Sequence, residues 1–443
     1  MSFTSLQLHE ALRSCSSRLN VKPSCFWVAF SGGMDSHVLL HAIAQCRENM
    51  DATVKAVYVE HGLQAESQAW ATHCKAVCHR YDISLTVLQV DATANKGESP
   101  EAAARTARYA AFKTLMSKND VMLTAQHERD QSETVFLQLL RGAGTRGLSA
   151  MPELTQLGKG HLYRPLLNIS YKSLQNYATD HSLEWINDPS NEQRRYDRNL
   201  LRLDVMPLLR ERWPSLDATV LRVATQQAEA QQLLAELAEQ DSEKLIEAAG
   251  TLIISGLREL SVIRQRNLLR FWLEKQGMQP PSAKKLAQLQ YEAINAAEDR
   301  NPCVSWRGCE VRRYRDRLYA MSPLKKVDSN LILDWHPGQA VVLPDSSGTL
   351  LSRSVTGNGV NIRQAATLKY RRGGERCQVA GKAGHTSLKK LFQEAGIPPW
   401  QRKRTPLVYV GDELAAIPGL CVCEPFAASG EMAGFELEWR PAG

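Results

Sequence analysis

The chain has 443 residues, 43% of them apolar and 23% charged, with a formal net charge of +7. That is room for two or three globular domains with real cores, and a balance basic enough to permit nucleic-acid binding without demanding it. No apolar run is long enough for a transmembrane helix, and Met1–Glu10 lacks the basic and apolar regions of a secretory signal, so a cytoplasmic protein with no membrane partner is expected.

Residues 1–24 read as a short amphipathic helix and a linker ending at Pro23. From Cys25 onward, strand patterns alternate with helical ones. Strands are expected at Cys25–Phe30, Val54–Val59, Leu85–Val90 and Val121–Ala125, and helices at Ser36–Gln45, Glu66–Tyr81, Pro100–Ser117 and Gln131–Arg141. This alternation predicts an α/β fold with a doubly wound parallel sheet. Ligands of such sheets sit outside the strand C-termini, where the strand order reverses. With the first strand lying between the second and the fourth, the two most polar strand ends meet there.

The first strand runs into Ser31-Gly32-Gly33-Met34-Asp35-Ser36. Glycines let the backbone bend and approach a ligand, and the N–H groups opening a helix favour an anion. Asp35 beside a phosphate makes sense when Mg²⁺ lies between them. A turn capped by Ser or Asp is the plainer alternative. No G-x-x-x-x-G-K-[ST] loop occurs, so no lysine reaches terminal phosphates in that way. The fourth strand ends in Thr124-Ala125-Gln126-His127-Glu128-Arg129-Asp130-Gln131-Ser132-Glu133-Thr134. His61-Gly62-Leu63-Gln64 follows the second strand. Glu101, Arg105, Arg108 and Tyr109 share one helical face, either a solvated ionic stripe or a phosphate-facing one. Arg141–Leu148 is a glycine-rich helix end. Trp185–Asn191 is a polar turn, and Tyr196–Arg202 carries Arg198 and Arg202 at i, i+4, a weak sign of backbone contact.

Ten cysteines occur without a C-x-x-C pair. Cys74 and Cys78, at i, i+4, could offer two metal ligands, but scattered reduced thiols are expected. Cys421-x-Cys423 reads as strand packing with both thiols on one face.

Beyond residue 213 the character changes. Helices are expected at Leu216–Asp241, at Leu257–Gln276 and after Pro280-Pro281-Ser282, with short strands at Cys303–Trp306 and Arg312–Tyr319. Residues 331–360 read as a hairpin-bearing connection. In residues 361–443, basic clusters including Lys389, Lys390, Arg402 and Arg404 interleave with Tyr370, Phe392 and Trp400, a pattern suited to a nucleic-acid surface. The expected division is an α/β domain at 1–213, a mostly helical domain at 214–330, a connection at 331–360 and a small mixed α+β domain at 361–443.

The loop Ser31–Ser36 resembles the PP-loop of the N-type ATP pyrophosphatases, which cleave ATP between its α- and β-phosphates. Together with His61-Gly62-Leu63, Glu101, Arg105, Arg108-Tyr109, His127-x-x-Asp130-Gln131-x-Glu133-Thr134, Arg141-Gly142, Asp188-x-Ser190-Asn191, Arg198-Asn199-x-x-Arg202 and the later Lys-Lys-Leu-Phe-Gln-Glu and Pro-Pro-Trp, it resembles the tRNA(Ile)-lysidine synthetases over nearly the whole chain. Two departures stand out. Arg129-Asp130 replaces the two adjacent acids that the family often has, and Gln64 stands where many members have a basic residue.

The resemblance implies ligation of lysine to the wobble cytidine of a CAU-anticodon isoleucine tRNA through an O-adenylate, which changes the codon read from AUG to AUA. It implies ATP and Mg²⁺ as cofactors, and lysine and tRNA as partners. Ser31, Gly32, Gly33, Met34, Asp35 and Ser36 would hold the nucleotide. Asp35 and Asp130 would handle Mg²⁺ or the lysine ammonium, with Asp35 as the metal candidate. His127 would support the adenylate or cap the strand end. Arg105, Arg108, Arg198, Arg202, Lys389, Lys390 and Arg402 would contact tRNA. A PP-loop tRNA thiolase is the alternative, but it usually brings C-x-x-C pairs. A PP-loop amidotransferase needs a glutaminase Cys/His pair, which is not evident, and the intact loop argues against a non-catalytic tRNA binder. The oligomeric state stays open, a dimer included.

Overall fold

The computed structural model describes residues 3–61, 67–94, 99–297 and 300–441. The chain divides into two compact units, Met1–Leu233 and Leu234–Gly443.

The first unit is built on a six-stranded sheet. Its strands are β1 (Cys25–Ala29), β2 (Thr53–Glu60), β3 (Ser84–Gln89), β4 (Asp120–Leu123), β5 (Leu154–Leu157) and β6 (Gly160–Tyr163), in the order β3-β2-β1-β4-β6-β5. All neighbours are parallel except the β5–β6 hairpin. The helices are α1 (Ser5–Leu19), α2 (Met34–Cys46), α3 (Ser67–Arg80), α4 (Pro100–Leu115), α5 (Glu128–Leu140), α6 (Thr145–Leu148), α7 (Tyr171–Asp180), α8 (Asp197–Leu200), α9 (Met206–Arg212) and α10 (Leu216–Leu245), the last reaching past the division between units.

The two-residue period of a strand explains the layers. Phe26, Val28 and Phe30 face a core shared with Leu8 and Leu12 of α1, Leu39 and Ile43 of α2, Cys74 and Cys78 of α3 and Leu174 of α7. Cys25 and Trp27 face the other way, onto Phe112 of α4 and onto Met116 and Met122. Helices on both faces leave only the strand ends open. β1 lies between β2 and β4, so the chain leaves β1 and β4 toward the same edge, as the sequence predicts. Cys74 and Cys78 are packing residues whose thiols burial pushes up to about 12.

In the second unit, Ser261 caps a new helix, accepting from the Arg264 N–H at 3.4 Å. The single helix expected over Leu257–Gln276 is therefore two, α11 (Ile254–Glu259) and α12 (Val262–Lys275). α13 (Ala283–Gln288) starts after Ser282 as its sequence predicts. β7 (Leu252–Ile253), β8 (Cys303–Trp306), β9 (Cys309–Tyr314) and β10 (Arg317–Met321) form an antiparallel sheet in the order β7-β10-β9-β8. The expected strand Arg312–Tyr319 is a hairpin, turned at Arg315, whose φ is +53°.

The remaining strands are β11 (Ile332–Trp335), β12 (Val341–Leu343), β13 (Gly348–Thr356), β14 (Ala366–Lys369), β15 (Arg376–Cys377), β16 (Thr386–Ser387), β17 (Leu407–Val410), β18 (Glu413–Ile417), β19 (Cys421–Val422) and β20 (Ala433–Arg440), with α14 (Leu388–Glu394) and α15 (Pro399–Arg402) among them. β11 from the connecting stretch pairs with β14, and β13 pairs with β20, so that stretch is woven into the C-terminal sheets.

One cysteine expectation is corrected. Cys377 and Cys423 are joined by a disulfide, because the bridge between Val379 and Cys423 brings their segments side by side. Cys421 lies with its sulfur near both, on the face it shares with Cys423. Among the described residues, no helix is long and apolar enough to cross a membrane.

Candidate active site

Gly32 has φ +83°, a backbone region that side chains resist. A Cβ there would lie 2.8 Å from Ile186 Cδ1 and 3.2 Å from Cys74 Sγ. Gly33 then caps α2 with no side-chain hydrogen bond, which leaves the first-turn N–H groups free to meet an anion. Ser36 donates to the Gly33 carbonyl at 2.9 Å and its hydroxyl accepts from the Ser31 N–H at 3.2 Å. The two hydroxyl oxygens lie 3.1 Å apart, so the serines brace the loop's shape. Met34 packs against the core below.

Asp35 follows on the first turn of α2. Its Oδ1 is buried with no hydrogen-bond partner, and its Oδ2 lies 3.5 Å from His127 Nε2. A buried carboxylate oxygen left unpaired is costly, and a hard cation is the partner such an oxygen suits. The loop thus fits a nucleotide phosphate, and Asp35 would hold Mg²⁺ beside it.

His127 comes from the end of β4. Its Nδ1 lies 3.2 Å from the Arg129 N at the N-terminus of α5, and Nε2 points between two acids. Asp130 Oδ2 is also 3.5 Å from Nε2 and accepts from the His127 N–H at 3.1 Å. Burial opposes the imidazolium, but Asp130 and then Asp35 outweigh it, and the His127 pKa is raised. For Asp130, burial raises the pKa, while His127, Arg198 and Arg202 pull it further down, so it stays below the usual carboxylate value.

Arg129 turns away from this cluster. Its guanidinium lies 4.2 Å from the Tyr171 ring centre, and its Nε is 3.9 Å from Asp217 Oδ2. The second acid of the cluster is Glu133, one turn farther along α5 and fully buried. Arg198 joins Glu133 at 2.9 Å and Asp130 at 3.1 Å. Arg202 joins Glu133 at 2.7 Å and Asp130 at 3.0 Å. Arg198 and Arg202, expected on tRNA, are each paired with these two carboxylates. Sequence spacing could not show that, because the partners lie more than sixty residues away, across a fold.

Arg105 and Arg108 separate. Arg105 is exposed and lies 4.8 Å from the Tyr109 ring centre. Arg108 donates to His61 Nε2 at 3.1 Å, and burial, then Arg108, lower the His61 pKa to about 4. Gly62, Leu63 and Gln64 lie outside the described residues. Asp188 and Asn199 serve turn geometry: Asp188 accepts from the Ser190 N–H at 2.8 Å and Asn199 donates to the Ser190 carbonyl at 2.9 Å. All these elements line one cleft of about 1310 Å³, which Tyr58, Tyr171 and Trp185 also line although sequence reasoning gave them no role.

The C-terminal basic residues divide as well. Lys389 and Lys390 are exposed on α14. Arg402 is buried and donates to the Ile397 carbonyl at 2.6 Å and the Tyr314 hydroxyl at 2.9 Å. Arg404 is buried against the Asp345 carbonyl, and Tyr370 and Phe392 are core residues. The expected aromatic and basic surface therefore keeps its lysines and loses Arg402 and Arg404 to the interior, where unpaired carbonyls need donors.

Residues 5–209 match the family model of a PP-loop domain, 252–319 that of the TilS substrate binding domain and 366–439 that of the TilS substrate C-terminal domain. The tRNA(Ile)-lysidine synthase of Coxiella burnetii is 42% identical over 421 residues, covering 94% of each chain. That of Methylococcus capsulatus is 41% identical over 425 residues, covering 94% of this chain and 97% of its own. Among solved structures, the U34-tRNA thiolase NcsA of Methanococcus maripaludis has a TM-score of 0.43 at 15% identity, covering 50% of this chain and 79% of its own, too slight a likeness to bear on function. An uncapped glycine loop, an unpaired Asp35 oxygen and a His127–Asp130–Glu133 cluster on adjoining strand ends thus sit in a chain alike from end to end to its relatives, and it belongs to the tRNA(Ile)-lysidine synthase family.

Proposed function

We propose that this chain joins lysine to C2 of the wobble cytidine in a CAU-anticodon isoleucine tRNA, using ATP and Mg²⁺. The cytosine C2 oxygen attacks the α-phosphate and pyrophosphate leaves. The lysine ε-amine then attacks C2, and AMP leaves with that oxygen. One difficult substitution becomes two easier ones.

The observation that carries the reading is the meeting of Asp35, His127 and Asp130 at the ends of β1 and β4, beside the free N-terminus of α2. The loop N–H groups hold the phosphates. Mg²⁺, when bound at Asp35, supplies charge neutralisation for the leaving pyrophosphate. Asp130 is held ionised and faces the ammonium of the incoming lysine. The amine must lose a proton before it attacks, and a carboxylate or water beside it accepts that proton. Glu133 keeps Arg198 and Arg202 in place around Asp130. Lys389 and Lys390 contact tRNA phosphate, and so does Arg105, exposed on α4. The reading places the protein in the cytoplasm, with its tRNA substrate.

Incubation with ATP, Mg²⁺, labelled lysine and isoleucine tRNA transcript, beside methionine tRNA, tests this. Lysine enters the isoleucine transcript alone. No incorporation, or sulfur transfer in its place as a thiolase would give, overturns the reading.

A further inference from the structure

The adenylated base must leave the anticodon stack and lie against the phosphate loop, so something must hold its face. Trp185 belongs to the segment that is hydrogen-bonded to that loop. It lines the cleft together with Ser31, Gly33 and Asp35. Its side chain is not spent on the core, since Trp185 remains 39% exposed. Among the described residues, no aromatic ring or cation is stacked on it.

Its backbone, by contrast, is held on both sides. The Glu184 carbonyl receives His37 Nδ1 at 2.7 Å, and the Ile186 N–H donates to the Gly32 carbonyl at 2.9 Å. Leu183 is buried in the core two residues before. Trp185 therefore stands one residue from the contact that ties its segment to the phosphate loop. An indole so placed is a preorganised flat surface: little freedom is lost when a base settles on it.

Two flat groups could use the cleft, adenine and cytosine. Where the buried side chains Phe30, Val57 and Phe112 line it, the cleft suits the smaller, free ligand. The rim, where Trp185 is exposed, suits a base that arrives attached to a macromolecule. We propose that Trp185 is the stacking platform for the target cytosine and so fixes its C2 oxygen toward the α-phosphate. This rests on the ligation reading above.

The test uses isoleucine tRNA carrying the fluorescent analogue pyrrolocytidine at the wobble position. Bound to the native chain, the analogue is quenched by the indole. With Trp185→Ala the bound fluorescence rises severalfold, and kcat/KM for unmodified tRNA falls roughly ten- to hundredfold, the size of one base–aromatic stack. ATP affinity is unchanged, and Trp185→Phe, which keeps a flat ring, restores most of kcat/KM. Equal fluorescence for the native chain and Trp185→Ala overturns the proposal, as does a loss of ATP affinity, which would assign the indole to adenine. If the native chain quenches the analogue yet transfers no lysine, the ligation reading fails and the stacking site stands.

Discussion

Arg202 grips Glu133 with two sides of its guanidinium: Nε lies 2.7 Å from Oε1, and Nη2 lies 2.8 Å from Oε2. Glu133 has no exposed side chain to speak of, and Arg198 reaches the same carboxylate at 2.9 Å. Removing the shared acid leaves two guanidinium groups beside a single carboxylate, Asp130. Glu133→Gln should lower stability by about 3 kcal/mol, the lower end for a broken buried pair because Arg202 is partly exposed. Urea unfolding of the variant measures this, and an unchanged midpoint would show the pairing to be energetically idle.

Protonation of the cluster sets a window. The His127 pKa is raised above its usual 6.5, so its contribution to stability is complete below that value and is lost as pH rises through the folded pKa. The Asp130 pKa is lowered from 3.8, so its contribution is complete above that value and is lost as pH falls through the folded pKa. The cluster is therefore most stabilising between these two usual values. His127→Asn should remove the alkaline limb of the stability profile and spare the acid limb. Thermal melts across pH decide it, and an unaltered alkaline limb would count against the His127 assignment.

Asp35→Asn keeps the shape of the loop but removes the charge of its unpaired oxygen. Pyrophosphate release should fall by at least about a hundredfold, the scale of losing one preorganised electrostatic contact. Affinity for tRNA, measured by filter binding, should stay within about twofold, because tRNA is held mainly by other phosphate contacts. A large loss of tRNA affinity would mean that Asp35 acts elsewhere.

Gly32→Ala tests the loop geometry. It forces a Cβ to within 2.8 Å of Ile186 Cδ1 at φ +83°. Strain of about 1–2 kcal/mol should appear in the unfolding midpoint, with weaker ATP binding by calorimetry. Wild-type values for both would show that the turn has room to relax.

Exposed and buried cations should part company. Lys389→Ala with Lys390→Ala should lessen the slope of log tRNA affinity against log salt by up to about 2, leaving the melting temperature nearly unchanged. Arg404→Ala should do the reverse, since its guanidinium satisfies the Asp345 and Ser346 carbonyls inside the fold. If both variants shift the salt slope equally, Arg404 reaches tRNA despite its burial.

The sequence by itself determined the doubly wound sheet, the loop Ser31–Ser36 and the neighbouring end of the fourth strand. Each is written locally: alternating apolar residues set a strand's two faces, and Gly-Gly sets the turn. Loop and strand end could be joined in advance only because parallel sheets place ligands at one kind of edge. The tertiary structure alone decided where the charges go. Arg198 and Arg202 look free in the chain, yet lie on Glu133 and Asp130. Arg129 looks like a lost acid, yet it stacks on Tyr171 while Glu133 completes the cluster. Arg402 looks like a nucleic-acid contact, yet it donates to Tyr314. The disulfide of Cys377 with Cys423 likewise joins segments 46 residues apart. Spacing along a chain fixes which residues share a face, while the partner of a charge or a thiol depends on which distant segment packs there, and burial makes that pairing obligatory.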